Sequence, residues 1–446
     1  MTQFRAGAAR VEITPPVGIE LAGYTPRVRR SNRSTGIDDP LWVRALALSD
    51  GESTILVATL DLLGIELDTT QYLRTRICQE LPLRPQSILI GCTHNHSGPS
   101  LLARHETHVE VDPDWQAEAF EATIAAVVAA YRRLQPAQIG YGRAEVQGVG
   151  ANRRALLDDG TIFHFSGLYG RQPPSGRHVV ADGPLDPELA VLCAWDTSGQ
   201  IIALLATYAC HPWLYNGDRV SSEVAGACVD WLETQLGPAN PGLVALYAPG
   251  TGSDITTVQH QTPLPGDVAG KERWYTTERA RLGAILGRAV RQAVESQDLE
   301  AASGRITADT YTLAAPAYPQ TLDQVLAQYG RLPPPETSIQ TEVQVLQAGE
   351  IVLVGLPTEV YVEYGLEVKR RSRYPQTMVL SYCNDYFADL ITHQAVAEGS
   401  CPELEWTRVH PDVQQRIMDC LQKRGILGSE RASPGGQGSS DPIEDV

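Results

Sequence analysis

The chain has 446 residues, of which 43% are hydrophobic and 20% are charged, and its formal net charge is -17. This composition is typical of a soluble globular protein with one large or two ordinary domains. The acidic balance disfavours nucleic acid and anionic membranes as partners, because both are polyanions.

The sequence also bears on location. No stretch approaches the roughly 20 apolar residues of a membrane helix, so stable membrane insertion is not expected. The N-terminal segment "MTQFRAGAARVEITPP" lacks the apolar core of a secretory signal. Eight cysteines without a CxxC pair indicate reduced thiols. We therefore predict a cytoplasmic protein, and these features are compatible with an oligomer.

Apolar runs of strand length alternate with helical patterns through the first 300 residues. The predicted strands are 53–60, 87–92, 188–195, 200–209 and 242–248, and the predicted helices are 115–131, 222–236 and 277–295. This alternation predicts an α/β fold, and a hairpin at 341–355 makes the sheet mixed rather than purely parallel. We expect a single layered domain over residues 1–428, in which helices flank the sheet, and a disordered polar tail over residues 429–446.

Two histidines stand one residue apart in "GCTHNHSGPS", at the end of a predicted buried strand. On an extended segment alternate side chains share a face, so His94 and His96 would point at one place. That arrangement suits a metal, or one ligand beside one acid–base group. The alternative is a pair of hydrogen-bonded histidines in a turn.

A third histidine, His211, also follows an apolar strand, in "ALLATYACHP". Ligands gather where the strands of an α/β sheet end, so the three histidines are expected to converge. Taken alone, His211 is equally explained as a partly buried ring bonded to a carbonyl.

Four further positions are candidates for chemistry. Glu359 follows the apolar run "IVLVGLPT" at the expected start of a helix, and Asp389 lies just after another apolar run. Arg153 in "GVGANRR" can clamp an oxyanion, and Thr256 lies in the polar loop of "VALYAPGTGSDITT". Each also has an ordinary interpretation as a helix-dipole partner, a turn residue or a solvated side chain.

Several segments together carry a family resemblance. They occur in the order "FRAGAARVEITPPVGIELAGY", "ILVATLDLLGI", "GCTHNHSGPS", "GANRR", "DGPLDPELAVLCAWD", "ATYACHP" and "GLPTEVY". Over about residues 4 to 400 the chain resembles the catalytic N-terminal domain of the neutral/alkaline non-lysosomal ceramidase family. The resemblance implies the same layered α/β domain, and here no immunoglobulin-like C-terminal domain follows it.

The resemblance also implies a site with one zinc ion. His94, His211 and Glu359 match the first three family ligands, whereas the position of the ligand tyrosine is occupied by Asp389. An aspartate oxygen can bind zinc, so we expect Asp389 to complete the set. The remaining family positions place His96 and Arg153 at the scissile amide.

Two departures from the family concern its substrate chemistry. The resemblance places Thr256 where family members carry a candidate nucleophilic serine, and we expect no counterpart of the C-terminal module of bona fide ceramidases. We therefore predict a substrate smaller or more polar than a ceramide, and not a true ceramidase.

The predicted function is a zinc-dependent amidohydrolase, with one Zn²⁺ per chain, that cleaves a small or peptide-like linear amide by metal-activated water. In this prediction His96, Arg153 and Thr256 act on the substrate. The alternatives are acyl transfer or cyclisation in a biosynthetic pathway, and a non-catalytic descendant that binds a metal or another ligand.

Overall fold

The computed structural model describes residues 4–23, 32–104, 109–165, 173–214, 217–257, 267–296, 299–399 and 401–428. The tail predicted to be disordered, residues 429–446, lies outside the described residues. In the described part, no helix combines the length and the apolar character that crossing a membrane requires.

The strands vary from two to twelve residues in length. They are β1 (Arg5–Glu12), β2 (Gly36–Ile37), β3 (Trp42–Ser49), β4 (Thr54–Leu60), β5 (Ile88–Cys92), β6 (Gln135–Glu145), β7 (Gly150–Asn152), β8 (Arg154–Leu157), β9 (Ile162–His164), β10 (Val179–Asp182), β11 (Glu188–Asp196), β12 (Ile201–Thr207), β13 (Arg219–Val220), β14 (Val244–Tyr247), β15 (Ile255–Thr257), β16 (Glu300–Ala301), β17 (Ile306–Ala317), β18 (Thr337–Ala348), β19 (Ile351–Gly355), β20 (Glu359–Val360), β21 (Gln376–Leu380) and β22 (Asp389–Leu390).

The helices are mostly amphipathic. They are α1 (Leu67–Glu80), α2 (Pro113–Arg132), α3 (Glu223–Leu236), α4 (Val268–Glu295), α5 (Leu322–Tyr329), α6 (Val362–Arg371), α7 (His393–Glu398) and α8 (Val413–Lys423). Short 3₁₀ turns occur at Pro85–Ser87 and Pro402–Glu405.

Two sheets form the centre of the molecule. In the described residues the larger sheet has the order β14-β12-β11-β6-β1-β3-β4-β5, with β16 paired to β6, and the second has the order β17-β18-β19-β21. Both are mixed, because β4–β5, β12–β14 and β19–β21 are parallel pairs while their other pairs are antiparallel. The α/β class and the mixed sheet predicted from the sequence are therefore confirmed.

The sheets and helices form four layers. Along β3, Val43 and Ala45 lie in the apolar cluster beneath α1 and α2, whereas Leu46 and Leu48 lie in the cluster shared with the second sheet. This alternation is the two-residue period of a strand buried on both faces. Helices α3 and α4 cover the other half of the large sheet, and α5, α6 and α8 cover the second sheet.

This architecture brings separate chain segments together at one place. Strand β5 ends at Cys92 and β12 ends at Thr207, just before the predicted histidines. An isolated bridge between Gly91 and Cys383 joins the end of the large sheet to the segment that follows β21.

Candidate metal centre

Three histidine rings meet at the ends of β5 and β12. The Nε2 atom of His94 lies 2.9 Å from that of His211, and the Nε2 atom of His96 lies 3.0 Å from each of them. His94 is fully buried and His211 is 3% exposed, while His96 is partly buried. The structure thus brings together the three histidines that the sequence predicted to converge, and their ligand atoms form a group that could hold a metal ion.

Main-chain carbonyls fix the proton positions on two of these rings. The Nδ1 atom of His94 lies 3.0 Å from the carbonyl oxygen of Leu63, and that of His96 lies 3.1 Å from the carbonyl oxygen of Gly23. Because a carbonyl oxygen only accepts, each Nδ1 carries the hydrogen in a neutral ring, and each Nε2 presents a lone pair to the group.

The buried rings are also poor proton acceptors. Burial lowers the pKa of His94 to about 3. Burial, together with the charge of Arg153, lowers the pKa of His211 well below its usual value. At neutral pH these rings are uncharged, so lone pairs face one another without a proton between them.

A metal cation fits this donor set. Neutral imidazole nitrogens are common zinc ligands, with bonds of about 2.0–2.1 Å. Nitrogens held at that distance around one tetrahedral ion lie roughly 3.3 Å apart, so the observed separations need to widen by only a few tenths of an ångström.

Glu359 adds a carboxylate to the group. Its Oε2 atom lies 3.3 Å from the His94 Nε2, and its Oε1 atom accepts a hydrogen bond from the Tyr386 hydroxyl at 2.5 Å. Burial raises the pKa of Glu359 to about 7, against the lowering effect of that hydroxyl and of Arg153. A nearby cation would favour the ionised carboxylate.

The local backbone at His94 and Glu359 differs from the sequence prediction. Strand β5 ends at Cys92, and His94 has a left-handed backbone with φ of 59°, so the HxH segment is not extended. Glu359 lies in the short strand β20 rather than in the first turn of a helix, because α6 begins only at Val362. Both expectations were wrong in geometry, although the side chains still converge.

Strained backbone concentrates at this centre. In the described residues, positive φ outside glycine occurs at His94, Glu223, Thr358, Tyr382 and Asn384. The ring of Tyr382 stacks on His94 with centroids 4.0 Å apart, and Thr358 directly precedes Glu359. Such conformations cost of order 1–3 kcal/mol each and are typical of functional sites.

Side chains around the HxH loop hold it in place. The Asn95 amide donates to the carbonyl oxygens of Asp61 and Ser221, at 3.0 Å and 2.7 Å. The Glu223 carboxylate accepts hydrogen bonds from the His96 backbone N–H and the Ser97 hydroxyl. Because these bonds fix the main chain on both sides of His96, its ring is oriented before any ligand binds.

Asp389 lies beside the centre with different partners. It is the parallel partner of Glu359 in the β20–β22 pair. Its carboxylate accepts hydrogen bonds from the Ser253 hydroxyl and, at 2.5 Å, from the Trp406 indole N–H. The group of ligand atoms formed by the three histidines includes neither Asp389 nor Glu359, although Glu359 lies 3.3 Å from His94. The Tyr386 hydroxyl bonds to Glu359.

Arg153 lies between the histidines and a buried carboxylate that the sequence did not reveal. Its Nη1 atom is 3.7 Å from Glu403 Oε1, and the His164 Nε2 is 3.8 Å from the same oxygen. Burial opposes ionisation of Glu403, but the charges of His164 and Arg153 lower its pKa below the usual value. Burial lowers the pKa of His164 itself to about 4.

Neither residue carried a recognisable signal in the sequence. Glu403 lies in a 3₁₀ turn of the C-terminal segment, 250 positions from Arg153. His164 lies between Phe163 and Phe165, and its side chain is only 10% exposed. Tyr386 lies three residues before Asp389, the position at which the family resemblance implies a ligand tyrosine, so a signal near it was available.

Thr256 is buried in β15, which pairs with β7. The preceding residue, Ile255, accepts a hydrogen bond from the His211 backbone N–H at 2.9 Å. The strand that carries Thr256 therefore also positions the third histidine.

A substitution at Gly23 tests the orientation of His96. A Cβ atom at Gly23 would lie 2.5 Å from the His96 Nδ1, so Gly23→Ala must displace the ring or break its bond to the carbonyl. We expect kcat for the predicted amide turnover to fall about 10- to 100-fold while the metal stays bound. Gly18→Ala is the matched control, because Gly18 also has positive φ but no atom within 4 Å of the added methyl. Equal kcat values for the two variants would contradict a role for the His96 ring in turnover.

The layered α/β fold and the buried imidazole group define this chain as an α/β protein with a candidate metal centre. A family model, described as neutral/alkaline non-lysosomal ceramidase, N-terminal, matches residues 4–258. The chain belongs to this family. The matched region includes the three histidines and Arg153, while Glu359 and Asp389 lie beyond it.

Ceramidases are similar to this chain in sequence and in structure. The neutral ceramidase of Pseudomonas aeruginosa is 22% identical over 219 residues, which cover 47% of this chain and 30% of that protein. The crystal structure of neutral ceramidase from Pseudomonas aeruginosa matches 98% of this chain and 77% of that chain, with a TM-score of 0.75 and 17% identity. A ceramidase complexed with C2 matches 98% and 78%, with a TM-score of 0.73 and 16% identity. These likenesses confirm the predicted fold.

Proposed function

We propose that this chain is a zinc-dependent amidohydrolase that cleaves a small N-acyl or peptide-like linear amide. The observation that carries the proposal is the convergence of three imidazole nitrogens within about 3 Å. Membership in the ceramidase family supports amide chemistry. We also propose that the protein acts in the cytoplasm.

In this proposal His94, His211 and Glu359 hold the zinc ion. When bound, zinc acts as a Lewis acid on a carbonyl and lowers the pKa of water. The Tyr386 hydroxyl bonds to the Glu359 Oε1 and so directs the Oε2 towards His94. Because the carboxylate of Asp389 is bonded to Ser253 and Trp406, we leave Asp389 out of the ligand set.

His96 is assigned the proton transfer. It is the most exposed ring of the three, so it can reach a substrate. Its Nδ1–H is held by the Gly23 carbonyl, which leaves the Nε2 lone pair to accept a proton from the attacking group. The same atom returns this proton to the leaving amine.

Arg153 and the loop around Thr256 are assigned to the substrate carbonyl. The guanidinium charge reaches His94, His211 and Glu359, since it contributes to the pKa shift of each. It is therefore close enough to stabilise negative charge that develops on the carbonyl oxygen. Thr256 orients the substrate from the strand that bonds the His211 main chain.

One experiment separates the proposal from its alternatives. The purified chain is assayed for zinc by elemental analysis and then incubated with N-acyl amides, with and without added hydroxylamine. We expect one zinc per chain and release of free carboxylic acid. Hydroxamate as the main product would indicate acyl transfer, a dehydrated ring product would indicate cyclisation, and a zinc-free, inactive chain would support a non-catalytic binding protein.

A further inference from the structure

Asp389 is a buried carboxylate without a cationic partner in the described part of the chain. The residue is 3% exposed, and no described lysine, arginine or histidine forms an ion pair with it. Its two hydrogen-bond donors are the Ser253 hydroxyl and the Trp406 indole. An ionised carboxylate offers about four acceptor positions, so roughly two remain when Asp389 is ionised. Burial, together with the carboxylates of Glu359 and Glu403, raises the pKa of Asp389 well above its usual value, because burying this charge without a cation is costly.

The carboxylate lies next to the proposed reaction centre. Asp389 is directly opposite Glu359 in the parallel β20–β22 pair. Side chains of laterally paired residues project from the same face of a sheet. Asp389 is therefore on the face from which Glu359 reaches His94, one strand further from the histidines.

Trp406 gives the carboxylate an aromatic neighbour at the surface. The residue is 53% exposed, although its indole N–H is bound to Asp389. A carboxylate beside an exposed aromatic face is suited to an organic ammonium ion, which is attracted both to the charge and to the ring.

The charges around the centre favour a cation as well. The carboxylates of Glu359 and Glu403 lie near Asp389, and Arg153 pairs with Glu403 rather than with Asp389. The chain's net charge of -17 also attracts cations from solution.

We propose that Asp389 and Trp406 bind an alkylammonium group, and that the substrate is a linear amide carrying a protonated amine. The part that concerns the substrate rests on the proposed amidohydrolase function, whereas cation binding does not. Asp389 then determines the specificity of this site for a cationic substrate.

The binding arm of the test needs no turnover. The Trp406 indole N–H signal is assigned in the NMR spectrum by its loss in Trp406→Phe, and n-butylammonium chloride is titrated against 1-butanol as the neutral control. We expect a saturable shift with the ammonium ion alone, weakened about tenfold or more in Asp389→Asn. Asp114→Asn, at an exposed aspartate of α2, should behave like the wild type. Absence of a saturable shift, or an equal shift with butanol, would overturn the proposal.

The turnover arm compares three acetamides of similar length on the zinc-loaded enzyme. They are N-acetyl-1,4-diaminobutane, N-butylacetamide and 4-acetamidobutanoate, which are cationic, neutral and anionic. We expect kcat/KM to favour the cationic amide about tenfold or more over the neutral one, and this ratio to fall to about one in Asp389→Asn.

The outcomes distinguish the two proposals. If Asp389→Asn lowers kcat/KM for all three amides equally, Asp389 only positions Ser253 and Trp406, and the specificity proposal is wrong. If no amide is cleaved but ammonium binding persists and depends on Asp389, the hydrolase function is wrong and the cation site stands.

Discussion

His94→Ala is expected to abolish stoichiometric zinc binding and, with it, amide turnover. The substitution removes the imidazole at the centre of the group, whose Nε2 lies within 3.3 Å of His96, His211 and Glu359. Losing a partner of a metal ligand typically costs 10–100-fold in affinity, and loss of the ligand itself should exceed that range. Zinc content after dialysis against a weak chelator measures the effect.

Two comparison variants sharpen this result. His178→Ala removes an exposed histidine that lies outside both groups of described residues that could hold a metal ion, and it should retain both zinc and activity. His96→Gln should retain zinc but lose about 10²–10⁴-fold in kcat, because it removes the proposed proton acceptor. If His94→Ala keeps its zinc, the proposed centre is wrong, and if His96→Gln loses zinc, His96 is a ligand rather than a base.

Arg153→Met is expected to lower kcat by about 10²–10³-fold while zinc remains bound. Methionine keeps much of the side-chain volume but removes the charge that lies beside the histidines and Glu403. Steady-state kinetics with parallel zinc analysis on the same samples measures the change. Arg153→Lys should recover part of the loss, because lysine restores the positive charge but not the planar guanidinium group with its paired N–H donors.

The control for this prediction is Arg177→Met. Arg177 pairs with Asp159 near the surface, and its side chain is 43% exposed. An Arg153→Met variant that raises KM with unchanged kcat would show that Arg153 binds substrate without stabilising the transition state.

The parts of the fold that the sequence predicted are those with strong local patterns. The predicted segments 53–60 and 87–92 correspond to β4 and β5, because continuous apolar runs bounded by polar residues are typical of strands buried on both faces. The predicted hairpin turn is present, with Gly349 in the left-handed region that such a turn requires.

Other strands had no such signal. Strand β1 reads "RAGAARVE", in which small residues and charges hide the alternation, and β6 begins with "QPAQ". These segments are strands because partners distant in sequence pair with them, as Ala6 does with Leu48 and Gln135. Propensity is a weak guide when tertiary pairing decides the structure.

The same distinction applies to the candidate site. His94, His96 and His211 could be predicted because each follows an apolar strand, and strand ends gather in this class of fold. The residues that surround these histidines and shift their pKa values could not be predicted. Glu403, for example, is brought next to Arg153 only by the course of the C-terminal segment. The bonds that direct Asp389 towards Ser253 and Trp406 likewise depend on contacts that no local pattern records.

The most direct test of the central claim is an anomalous-scattering map at the zinc edge, from crystals of the purified chain. The account predicts a single strong peak bonded to the Nε2 atoms of His94 and His211 and to the Glu359 carboxylate, at about 2.0–2.2 Å. The account would be contradicted if a zinc-supplemented crystal showed no peak among these side chains, or showed a peak only at another place in the molecule.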